Sequence, residues 1–91
     1  MDNQKPNRVL TVSIKSPEAI LFAGEADAVS SINERGRFDV LPLHANFICI
    51  VKDTIVIYNK STAKELKIDS GILRVTGNHV QVFLGIETLR K

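Results

Sequence analysis

The side chains able to act as nucleophile, general base or soft metal ligand are few: His44 and His79 are the only imidazoles and Cys49 the only thiol. His44 and Cys49 are close enough in sequence for a thiolate and base pair to be conceivable. Cys49, however, sits inside the apolar run "FICIV", where a thiol behaves as a small hydrophobe with its pKa raised rather than lowered. The two histidines and the scattered carboxylates show neither the i, i+4 spacing of a helical metal site nor a Cys-x-x-Cys knuckle, so neither metal nor cofactor is expected. His79 follows the turn residues Gly77 and Asn78 and reads as the solvent-facing start of a strand. The glycines at 24, 36, 71, 77 and 85 are isolated singles, which suit turns and bulges rather than a phosphate cradle. What remains is the stretch "GRFDVLPLHANF", residues 36 to 47, where Pro42 rigidifies a bend that presents His44, preceded by Arg35 and Arg37 at a turn. Fixed loops on a β scaffold are where binding surfaces reside.

The elements that must hold this loop are strands. "VLTVSIK" alternates apolar and polar residues with the period of a half-buried strand and ends at Pro17. "AILFAG" and "EADAVSSI" follow, and "NERGR" turns the chain at Gly36. "FICIV" and "TIVIY" are separated by Lys52 and Asp53, which reads as a tight hairpin. "ELKI" and "ILRV" are divided by Gly71, and "TGNH" turns into "VQVFLG". The count is nine to ten short strands, with no sustained helical period and no internal repeat. An all-β antiparallel sandwich or flattened barrel is the economical solution, because sheets with one apolar face must stack on each other.

With 91 residues, 44% of them hydrophobic and 24% charged, the chain is expected to form one soluble domain with one core. The polar start "MDNQKPNR" has no apolar h-region, and no stretch approaches a membrane helix in length. A single cysteine suits a reducing compartment. The net charge of +2 comes from both signs scattered along the chain and names no partner. Tyr58 and four phenylalanines lie mostly within apolar runs, so they serve packing rather than base stacking, and no nucleic acid is expected.

Four segments, "SPEAILFAGEADAV", "GRFDVLPLHANF", "DSGILRV" and "NHVQVFLG", stand in an order and spacing that resembles the N-terminal β-sandwich domain of the epsilon subunit of F-type ATP synthase. The resemblance covers residues 9 to 85 and is carried by four motifs in register rather than by any one. It implies a polar leader at 1 to 8, a sandwich domain at 9 to 85 and a short tail at 86 to 91. The departures are Asp39 and Leu43 where the family has glycine, Asn46 where it has proline, and Arg37 where an acidic or polar residue is common. A bulky Leu43 requires either that the position avoid positive φ or that strain be tolerated.

The resemblance implies a rotor component in the central stalk, not an enzyme: it would bind no small-molecule substrate, dock on the gamma subunit and the membrane c-ring, and support proton-coupled ATP synthesis. Carried over by position, the shaft-facing residues are Ser16, His44 and Cys49, beside Pro42. The ring-facing loop is Glu34, Arg35, Gly36, Arg37 and Phe38. The chain would lie at the cytoplasmic face of the inner membrane within a peripheral complex and be soluble when isolated. The family's helical hairpin, on which inhibition and nucleotide sensing depend, has no counterpart before the chain ends at "GIETLRK", so neither activity is expected. The alternative is a stand-alone sandwich adaptor that has changed its partner.

Overall fold

Leu10, Val12 and Ile14 are fully buried while Thr11 and Lys15 are exposed, so the alternation in the first strand sets which face is core. The computed structural model describes residues 9–85; the expected leader and tail lie outside the described residues. Its elements are β1 (Leu10–Lys15), β2 (Ile20–Ala26), β3 (Ala28–Asn33), β4 (Gly36–Val40), β5 (Phe47–Asn59), β6 (Thr62–Thr76) and β7 (His79–Leu84). The all-β class agrees with the sequence, but the strands among the described residues number seven rather than nine or ten.

The difference comes from two long strands that the sequence divides. β5 runs through Lys52 and Asp53 without reversing; Asp53 takes φ 70° and the register with β6 shifts there. The pairing passes from Lys52–Ser70 to Asp53–Ile68, leaving Asp69 as the extra residue of a bulge. Before it Leu66 and Ile68 pack on the core, and after it Leu73 and Val75 do, so the inward positions change from even to odd. Gly71 does not end the strand either. A Cβ there would lie 2.7 Å from the Phe83 carbonyl oxygen and 2.8 Å from Leu84 Cδ2, so glycine is required by close approach of β7.

The hydrogen-bonded order is β2-β1-β7-β6-β5-β3-β4. β3 pairs with β5 only at Lys52 and from Ile55 to Tyr58, whereas β7 pairs with β6 only from Gly71 to Thr76. The sheet therefore folds over at the bulge into two layers. One holds β2, β1, β7 and the adjoining halves of β6 and β5; the other holds β4, β3 and the remaining halves. Val12, Val82 and Leu73 from the first meet Val29, Val40 and Ile57 from the second in one core cluster. The ladder is not wholly antiparallel: β1 and β7 run parallel, Thr11 to Lys15 against His79 to Phe83. A parallel neighbour needs a long crossover, which here is supplied by all the intervening strands.

Candidate protein-docking site

Leu41, Pro42, Leu43 and His44 make a turn closed by the His44 N–H donating to the Leu41 carbonyl at 3.1 Å. Proline at the second position and φ 69° at Leu43 are the marks of a type II turn, whose third position ordinarily requires glycine. Strain is thus tolerated at Leu43. The β6–β7 turn holds this loop from beneath: the Leu43 N–H donates to Asn78 Oδ1 at 2.7 Å, and the Gly77 N–H donates to Asn46 Oδ1 at 2.8 Å. Asn46, the departure from proline, is therefore half of a reciprocal clasp. His44 lies with its ring 5.2 Å from that of Phe47, and its Nδ1 is 2.9 Å from the Ala45 carbonyl oxygen. Phe47 in turn meets Phe38 edge to face at 6.0 Å.

The loop delivers the chain into β5, where inward and outward residues alternate. Phe47, Cys49 and Val51 turn toward the core, while Ile48 and Ile50 are 64% and 67% exposed. Ile50 pairs with Ile72 and Ile72 with Phe83, so an apolar row crosses the outer face of the first layer. On the other side of β5, residues 47–51 have no paired strand among the described residues. An open groove of about 430 Å³ lies there, between the Asn33–Arg35 turn and Ile48, Cys49, Ile50 and Lys52. Burial pushes the Cys49 thiol above its ordinary pKa, against a smaller opposing effect of a hydrogen bond with the Asn33 side chain.

The expected site residues fall into separate places. His44, Pro42 and Cys49 share the loop and the start of β5. Ser16 does not join them: it follows β1, three strand positions from β5 in the sheet order, a separation of roughly 14 Å across the sheet. There it caps a turn, its N–H donating to the Ala19 carbonyl at 2.8 Å and its Oγ accepting from the Ala19 N–H at 3.2 Å. Glu34 and Arg35 form the tip of the β3–β4 hairpin, with the Arg35 N–H bonded to Asn33 Oδ1 at 2.8 Å and Gly36 closing the turn at φ 114°. Phe38 points inward against Phe47 and the core. Arg37 lies along the outer sheet face, donating to the Tyr58 hydroxyl at 3.0 Å and pairing with Asp39 at 3.8 Å. Asp39 also accepts a hydrogen bond from Ser30. Arg35 is thus the cation at the tip, and Arg37 is engaged within the chain.

Ile48, Ile50 and Leu41 were not singled out by sequence reasoning, and Leu43 was singled out only for its backbone. The signal for the two isoleucines was present: "FICIV" is apolar at every position, and a strand apolar on both faces calls for cover on both. Among the described residues no helix is long and apolar enough to cross a membrane, and no group of three or more His, Cys, Asp or Glu is placed to hold a metal.

Comparison with known proteins bears on what such a surface serves. The ATP synthase epsilon chain of Rickettsia felis is 34% identical over 82 residues, covering 84% of this chain and 71% of that protein. The ATP synthase epsilon chain of Leptospira borgpetersenii is 31% identical over 74 residues, covering 80% of this chain. This chain spans only 58% of that relative's length. Among solved structures, the OSCP/F1/c-ring assembly of the Euglena gracilis mitochondrial ATP synthase contains a chain that matches with a TM-score of 0.78 at 14% identity, covering 92% of this chain and 54% of that one. At that identity the likeness establishes the fold. The sequence profile of the ATP synthase delta/epsilon chain β-sandwich domain matches residues 9–85, the same residues that build the two layers and the loop at Pro42 and His44, and the chain belongs to that family.

Proposed function

We propose that the chain is a non-catalytic central-stalk subunit of a proton-coupled ATP synthase, docking on the gamma subunit and on the membrane c-ring. The observation that carries the reading is the apolar row of exposed Ile48 and Ile50, continued by half-buried Ile72 and Phe83, on a domain of the epsilon family. Contiguous exposed apolar surface on a small domain marks a protein contact. The gamma contact comprises the loop at Pro42 and His44 with the outward isoleucines of β5, Cys49 supporting them from the core side. The β3–β4 tip with Glu34 and Arg35 is the contact for the c-ring. Ser16 stands apart and serves gamma docking only if the partner reaches across the sheet. Membership of such a complex puts the chain at the cytoplasmic face of the membrane as a peripheral component.

The test is a pull-down of the tagged chain with gamma subunit and c-ring from the same source. Wild type should capture both; Ile48→Asp combined with Ile50→Asp should lose gamma, and Arg35→Glu should weaken ring capture while leaving gamma. Arg37→Glu is the poorer probe because it also breaks the Tyr58 and Asp39 contacts. A folded wild-type chain that captures neither partner would overturn the reading and favour a sandwich adaptor serving another complex.

A further inference from the structure

Leu43 combines two costs, one of backbone and one of side chain. Its backbone occupies the left-handed region at φ 69°, where glycine or asparagine would sit with less strain. Its side chain is 74% exposed and so contributes little to the core, and Leu41, two residues before it, is 53% exposed. The turn is nevertheless held firmly: Pro42 sets one dihedral, and Asn78 and Asn46 tie the loop to the β6–β7 turn. Strain retained in an over-determined loop is a sign of use rather than of disorder.

We infer that Leu43, with Leu41, forms a preorganised apolar knob that enters an apolar depression on the gamma subunit, making Leu43 a specificity-determining docking residue. The inference rests on the central-stalk reading. Continuity argues for the same partner, because the loop runs through Phe47 directly into the exposed Ile48 and Ile50, so one stretch of chain presents apolar side chains at 41, 43, 48 and 50. A lipid surface is the poorer occupant: the stretch from Leu41 to Asn46 contains no lysine or arginine to draw it to anionic headgroups. Holding the knob rigid before contact removes an ordering cost from binding.

The proposal sets stability against binding. Leu43→Gly and Leu43→Asn should each melt at a higher temperature than wild type, because both relieve the turn. Each should bind purified gamma subunit about tenfold to a hundredfold more weakly, the range for losing one well-buried leucine side chain. Leu43→Ala keeps the strain and loses most of the knob, so it should bind weakly without the gain in melting temperature. Equal affinity of Leu43→Gly and wild type for gamma would overturn the inference while leaving the central-stalk reading intact. A lower melting temperature in Leu43→Gly, or loss of binding to anionic phospholipid vesicles in place of gamma, would also overturn it. Failure of wild type to bind gamma at all would overturn both.

Discussion

Cys49 shows how one residue type takes opposite meanings in different surroundings. Burial favours its neutral thiol, so the folded chain holds this proton to higher pH than the unfolded chain does. The resulting stability is fully present below the unfolded thiol pKa, about 8.5, and is lost as pH rises through the folded value. Urea denaturation between about pH 8 and 10 should therefore show wild type losing more stability than Cys49→Ala. Parallel curves for the two proteins would refute this account. Iodoacetamide should correspondingly alkylate the native thiol more slowly than the thiol of the unfolded chain. Asp39 is a second residue whose role depends on context: its carboxylate is satisfied by Ser30 and Arg37, which ties β3 to β4 on the outer face.

Among the elements, β5 and β6 decide the architecture, because each crosses from one layer to the other. Gly71 lies where β6 passes closest to β7, and Gly71→Ala must push the Phe83 carbonyl or the backbone aside. A loss of about 1–3 kcal/mol is expected from chemical denaturation, the range for overpacking a filled site. A change below about 0.5 kcal/mol, the scale of an ordinary surface substitution, would show that the strand can yield there. Asp53, at φ 70°, is the matching position in β5. Replacing it with valine should destabilise, since a β-branched residue resists the left-handed region, while Asp53→Gly should be tolerated.

For the whole molecule, the two layers share one core, so neither can lose packing alone. Leu73 in one layer and Ile55 in the other are both fully buried. Leu73→Ala and Ile55→Ala should each cost about 2–5 kcal/mol and lower a single cooperative transition seen alike by circular dichroism and by tryptophan-free probes such as Tyr58 fluorescence. Two separated transitions in either variant would show that the layers fold independently. The parallel β1–β7 pair joins the first and last strands, so most stabilising contacts are distant in sequence and folding should be slow for so small a domain.

The amino-acid sequence by itself determined the all-β class and, in the first strand, the apolar face that meets the core, because alternation and turn chemistry are local properties. It also posed the choice at Leu43 between an ordinary and a left-handed backbone. Tertiary structure alone decided that choice, along with the continuity of β5 and β6, the parallel closure of β1 on β7 and the separation of Ser16 from His44. A bulge and a hairpin share the same local signature of polar and turn-forming residues, and only the partner strand distinguishes them. "FICIV" is apolar on both faces, but which face the core covers, and that Ile48 and Ile50 stay bare, depends on how the two layers stack, which is set by pairings remote in sequence.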